Sequence, residues 1–212
     1  MNARRIGKYL GLLDYPDTYG GRKRHNGVTP LVGGLAVVGA AVGAALVVYA
    51  ITPSPGLHLL WLAGTVSAMF IIGAMDDRFD LSPALRLGAT YALLLLLVSY
   101  APDFSLAFLR FSGQQRLWLL DEWGGAFTLI CLLGLLNAVN LADGKNGIVI
   151  GMGLIWTVVL AVHSPAAMLP VLAATGAALL VVGGFNLAGK LFLGDSGSYA
   201  LSALFGLLAI YD

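Results

Sequence analysis

The sequence predicts an all-α fold, a polytopic bundle of transmembrane helices with about seven spans. Three observations carry this. Of the 212 residues, 58% are hydrophobic and only 11% are charged, with a mean hydropathy of +0.86; a soluble domain carries about a quarter charged residues. The apolar residues gather into runs of near-spanning length, separated by Pro, Gly and Ser clusters. Lys and Arg fall on alternate connections. The same composition excludes a disordered chain, and a net charge of +1 gives no bulk attraction to nucleic acid. The single cysteine, Cys131, lies within an apolar run, which excludes an internal disulfide and a cysteine-based zinc site.

A hydrocarbon core of about 30 Å needs about 20 apolar helical residues. In order, the candidate spans are Leu31 to Ile51, Leu57 to Met75, Leu85 to Tyr100, Trp123 to Val139, Ile148 to Val162, Ala166 to Leu187 and Ser198 to Tyr211. The breakers between them include Thr52-Pro53-Ser54-Pro55-Gly56, Ser82-Pro83, Ala101-Pro102 and Ser164-Pro165. The basic start is followed by no apolar run before residue 31, so no cleavable signal peptide is expected. Asp103 to Glu122 reads as an external loop with amphipathic character.

Arg4, Arg5, Lys8, Arg22, Lys23 and Arg24 precede the first span and place it in the cytoplasm. Seven alternating crossings put Arg78, Arg86, Lys145 and Lys190 on the same side, leaving Arg110 and Arg116 outside. Asp76, Asp77, Asp143 and Asp195 fall on that basic side too, at or near helix ends. Carboxylates at membrane depth are costly and usually functional. Gathered from several spans, they would suit a hard cation such as magnesium, held together with substrate phosphates.

Four stretches carry the chemistry, and each has a plainer alternative. Asp14-Tyr15-Pro16, Arg22 to Pro30 and Gly33-Gly34 form a basic loop that could hold a lipid phosphate, or an ordinary positive-inside anchor. In Gly73 to Leu81, the adjacent Asp76 and Asp77 repel unless a cation or proton lies between them; the alternative is a solvated helix end neutralised by Arg78. In Asn137 to Gly147, Asn137 and Asn140 are three apart and face one side of a helix end. That stretch reads as a nucleotide or phosphate site, or as a turn built from Asn, Asp and Gly. In Phe192 to Ser198, small residues start a span whose open N–H groups can take an anion, with Asp195 as a metal ligand beside it. The alternative is simple N-capping.

In this order, DYP…RKRHNGVTPLVGG, GAMDDRFDLS, NAVNLADGKNG and KLFLGDSGS resemble the polyprenyl-phosphate N-acetylhexosaminyl-1-phosphate transferases of glycosyltransferase family 4. The resemblance runs from Asp14 to about Tyr199, and the RKRH and DDRFDLS details look like the branch that initiates envelope polysaccharides such as O-antigen. It implies transfer of a sugar 1-phosphate from a UDP-sugar, most commonly UDP-GlcNAc, to undecaprenyl phosphate, releasing UMP. It implies magnesium or manganese as cofactor. It also implies a multi-pass protein of the bacterial inner membrane with its active site facing the cytoplasm.

Carried over by motif, Asp195 matches the metal-binding aspartate. Asp76 matches a carboxylate proposed to accept the lipid phosphate's proton or to position it, and Asp77 its partner near the metal. Asn140 and Asp143 match nucleotide-site or catalytic residues. Lys23 and His25 fall in the phosphate-contacting basic loop, and Asn146 stands where many members carry Asp. A phosphate's second pKa is about 6, so the lipid phosphate is largely dianionic at neutral pH without a base.

The expected organisation is a single integral membrane transferase domain over residues 1–212. Compared with the family pattern, it lacks a span before the basic loop and the later spans with a His- and Arg-rich loop. The expected partners are polyprenyl phosphate, a UDP-sugar and the membrane, with a homodimer as one assembly open to it. An alternative is a catalytically incomplete core, or pseudoenzyme, that binds polyprenyl phosphate and nucleotide. A transporter fits less well, because its acids would lie near the bilayer midplane.

Overall fold

A computed structural model describes residues 2–16, 27–113 and 116–211. The predicted phosphate contacts Lys23 and His25 lie outside the described residues. A short basic helix, α1 (Asn2–Leu10), leads into β1 (Leu13–Asp14), which pairs antiparallel with β2 (Thr29–Pro30). Seven helices follow: α2 (Gly33–Ile51), α3 (His58–Phe79), α4 (Pro83–Tyr100), α5 (Gly124–Ala142), α6 (Ile148–His163), α7 (Leu169–Leu187) and α8 (Gly194–Tyr211). Each predicted span corresponds to one of them. Five segments are long and apolar enough to cross a membrane: α2, α3, α4, Asp121–Ala142 around α5, and Ala166–Leu187 around α7. α6 is apolar but has only 16 residues, and α8 opens with a polar turn. The protein is a multi-pass membrane protein built as an all-α bundle.

The helices exceed the predicted spans where polar residues find partners. α3 continues past Met75 through Phe79 and ends at Asp80, which adopts a left-handed conformation with φ 51°. α8 begins at Gly194 instead of Ser198. Ser82-Pro83 starts α4 rather than merely breaking the chain: Ser82 Oγ accepts from Leu85 N–H at 3.3 Å, and Pro83 occupies the first turn. The predicted external loop folds into a hairpin of β3 (Phe108–Arg110) and β4 (Leu117–Leu119), between single 3₁₀ turns at Pro102–Phe104 and Asp121–Trp123.

α8 is the axis of the bundle. Every residue from Ser196 to Leu208 is buried, and α2, α3, α5 and α6 surround it. A helix apolar on all faces can be stable only in such a position. Small residues set its closest crossings. A Cβ on Gly34 would lie 2.5 Å from Gly197 Cα, and a Cβ on Gly73 would collide with the Asp195 carbonyl oxygen and Ser196 Cα. Close backbone approach at small residues is a common way for membrane helices to associate. Here it draws α2 and α3 onto the first turn of α8, where the third and fourth polar stretches also meet.

Candidate active site at one end of the bundle

Asp76 and Asp77 are consecutive helical residues, so their side chains diverge by about 100°. That lessens the repulsion expected of them. The Asp77 carboxylate accepts two backbone hydrogen bonds from the start of α8, Oδ1 from Asp195 N–H at 2.9 Å and Oδ2 from Ser196 N–H at 3.0 Å. Asp77 is therefore the anion at the N-terminus of α8. The expectation that these N–H groups stand open to a ligand is corrected, because a side chain 118 positions away already occupies them. Gly194, with φ 78°, leaves room for this approach: a Cβ there would lie 2.7 Å from Asp77 Oδ2.

Asp76 turns the other way. It is 6% exposed. Its Oδ1 accepts from Leu81 N–H at 3.0 Å and its Oδ2 from Arg86 Nη1 at 2.7 Å. Arg86, in the first turn of α4, is thus the cation that neutralises this helix end. Arg78, expected in that role, instead donates to the Leu10 carbonyl at 3.3 Å and lies over the Phe79 ring, 5.1 Å from its centroid. It ties α1 to α3.

Asp195 stands in the first turn of α8 between two elements. Asn140 Nδ2 donates to its Oδ1 at 2.7 Å and to Ser198 Oγ at 3.1 Å. Its Oδ2 lies 3.8 Å from Arg86 Nη1. Asn140 and Asn137 do not share a site. Asn137 is exposed and donates to the Leu133 carbonyl of its own helix at 2.8 Å. Three helical residues turn the chain through about 300°, which leaves the two amides roughly 60° apart and lets packing separate them.

Asp143, just past the end of α5, donates its N–H to the Val139 and Asn140 carbonyls, while its carboxyl has no hydrogen-bond or ion-pair partner among the described residues. Burial and the negative charges of Asp195 and Asp77 raise its pKa to about 7. Asn146 and Lys145 are exposed in the following turn. The third and fourth stretches are joined by Asn186, a buried amide near the end of α7 that sequence reasoning missed. Its Oδ1 accepts from Gly147 N–H at 2.7 Å and its Nδ2 donates to the Leu191 carbonyl at 3.0 Å. A lone amide ending an apolar run is the signal that singled out Asn140, and it applies equally to Asn186. Backbone bonds bring in the first stretch: Gly33 N–H and Gly34 N–H donate to the Phe192 and Leu193 carbonyls, each at 3.0 Å.

Among the described residues, no three His, Cys, Asp or Glu side chains converge into a ready-made metal cage. The oxygen donors nevertheless fit magnesium or manganese. Among the described residues Asp143 is a carboxyl without an ion-pair partner, within electrostatic range of Asp195, and magnesium is usually held by one or two carboxylates with waters and substrate phosphates completing the shell.

Fold and site together define a multi-pass membrane protein whose aspartates, from three separate segments, meet at one end of a helix bundle. The sequence profile of Glycosyl transferase family 4 matches residues 59–212, and the chain belongs to that family. It is 33% identical over 153 residues to the undecaprenyl-phosphate alpha-N-acetylglucosaminyl 1-phosphate transferase of Escherichia coli K12, covering 71% of this chain and 39% of that protein. The protein of the same name from Yersinia pestis is 29% identical over 150 residues, with the same coverage. The decaprenyl-phosphate N-acetylglucosaminephosphotransferase of Mycobacterium tuberculosis is 26% identical over 223 residues, covering 95% of this chain and 54% of that protein. The chain thus spans about two fifths to a half of the length of these relatives.

Proposed function

We propose that this chain forms the catalytic core of a transferase that moves N-acetylglucosamine 1-phosphate from UDP-GlcNAc to a polyprenyl phosphate, with release of UMP. The observation that carries this reading is the Asn140–Asp195 hydrogen bond, with Asp143 in electrostatic range at the same end of the bundle, in a chain whose relatives are named for this transfer. The site faces the cytoplasm of a bacterial inner membrane, since ten of the twelve Lys and Arg fall on that side. A cytosolic nucleotide and a lipid phosphate of the same leaflet would both reach it.

Asp195 and Asp143 would hold the divalent cation, magnesium or manganese. When bound, that cation neutralises charge on the sugar-nucleotide diphosphate. Asn140 fixes the Asp195 carboxylate through Oδ1, and Asp77 fixes the backbone on which Asp195 stands. Phosphoryl transfer needs little beyond positioning and charge neutralisation, and the lipid phosphate is already an anionic nucleophile at neutral pH.

The test is a transfer assay on the chain in membranes with undecaprenyl phosphate, magnesium and UDP-GlcNAc labelled in the sugar phosphate. Label moving into the lipid, and lost in Asp195→Ala, supports the reading. Metal-dependent UDP binding without UMP release would assign a binding role. Neither transfer nor binding would overturn both.

A further inference from the structure

Arg86 Nη1 stands between two carboxylates and is hydrogen-bonded to only one of them. It lies 2.7 Å from Asp76 Oδ2 and 3.8 Å from Asp195 Oδ2. The α3–α4 corner enforces this choice. Asp80 reverses the chain at φ 51°, Leu81 N–H binds Asp76 Oδ1, and α4 then returns Arg86 opposite Asp76 Oδ2. Each oxygen of Asp76 therefore already accepts one hydrogen bond. The remaining guanidinium donors of Arg86 are partly exposed, with the side chain at 29%, so the arginine can turn while Asp76, 6% exposed, is fixed.

The two carboxylates differ in what else holds them. Asp195 Oδ1 is taken by Asn140, whereas Oδ2 faces the guanidinium at 3.8 Å, and the Asp195 carboxyl also lies within reach of the Asp76 carboxyl. A guanidinium pairs best when two donors grip one carboxylate. If Arg86 moved about 1 Å it would close on Asp195 and block the oxygen that a cation needs. A metal site requires ligands free of protons and of competing cations.

We propose that Asp76 is a positioning residue whose task is to hold Arg86 off Asp195, so that Asp195 Oδ2 stays open to a divalent cation. This rests on the reading of Asp195 as a metal ligand. Asp76 then acts on the metal site through Arg86. The pair is a device that keeps a necessary cation at the corner and out of the metal site.

The test is manganese binding to the chain in lipid nanodiscs, followed by electron paramagnetic resonance of free Mn²⁺, with near-ultraviolet circular dichroism to confirm folding. Asp76→Asn keeps the shape and an acceptor for Leu81 N–H but releases Arg86. It is expected to weaken Mn²⁺ binding by about tenfold or more, as loss of an outer-shell partner does. Arg86→Gln alone binds at least as tightly as the wild type. The double variant Asp76→Asn/Arg86→Gln returns to within about threefold of the wild type, a coupling that independent sites would not show. A double variant as weak as Asp76→Asn overturns the proposal and makes Asp76 a direct participant. A tenfold loss in Arg86→Gln also overturns it, making the arginine an orienting group. Wild-type binding that survives Asp195→Asn removes the metal-site reading itself, and the inference with it.

Discussion

Asp77 caps the helix on which Asp195 stands: its carboxylate takes the Asp195 and Ser196 N–H groups at 2.9 and 3.0 Å. One of two adjacent aspartates on α3 thus builds the backbone of the site, while the other holds a cation beside it.

Asp77→Ala leaves two N–H groups unsatisfied at the start of α8. Its expected cost is about 1–2 kcal/mol, the loss typical of an N-cap. Asp77→Asn, which keeps one acceptor, should cost less. Thermal unfolding of the purified chain in detergent measures both. An alanine variant as stable as the wild type would show that the cap is not what fixes this turn.

Gly73→Ala places a methyl group against the Asp195 carbonyl and Ser196 Cα, both backbone atoms that cannot move aside alone. Forcing α3 from α8 should cost about 1–3 kcal/mol and displace Asp195, weakening Mn²⁺ binding. Gly64 lies on the same helix with nothing within 4 Å of an added Cβ. Gly64→Ala should be neutral or stabilise by up to about 1 kcal/mol through helix propensity. Equal effects of the two substitutions would contradict the close crossing.

Asn186→Ala strands the Gly147 N–H and the Leu191 carbonyl. Buried polar groups without partners cost about 1–3 kcal/mol. Hydrogen exchange should report it locally, with the Gly147 amide exchanging faster and the far end of the bundle unchanged. A uniform change would assign Asn186 to general packing.

Asn140→Ala and Asn137→Ala separate two similar residues. The first removes the bond to Asp195 Oδ1 and should weaken metal binding by about 10- to 100-fold. The second removes an exposed bond to its own helix and should leave binding unchanged.

Asp143 has its pKa raised to about 7 by burial and by its anionic neighbours. A bound cation needs the deprotonated form, so a proton competes with it. Metal affinity should be full above pH 8. It should fall as pH drops through 7, by up to about tenfold per unit for one competing proton. Asp143→Asn should bind more weakly at pH 8 and show a shallower dependence, the remainder coming from Asp195, whose pKa burial also raises to about 7. A wild-type affinity flat from pH 5.5 to 8 would exclude Asp143 from the site.

The amino-acid sequence by itself determined the seven apolar helices, their breakers and the gathering of aspartates on the basic side. These follow from hydropathy and chain-breaking residues, which act within a few positions of where they stand. It could not determine which way each polar side chain turns. Asp76 and Asp77 read as one carboxylate pair, yet the helix sends one to Arg86 and the other to α8. Asn137 and Asn140 read as one face, yet packing takes only Asn140 to Asp195. Arg86 showed only as a positive charge, and Asn186 not at all. The bonds that make the site join residues as much as 119 positions apart. Such contacts depend on how closely α2 and α3 approach α8 at Gly34 and Gly73, a property of the packed bundle that no local pattern carries.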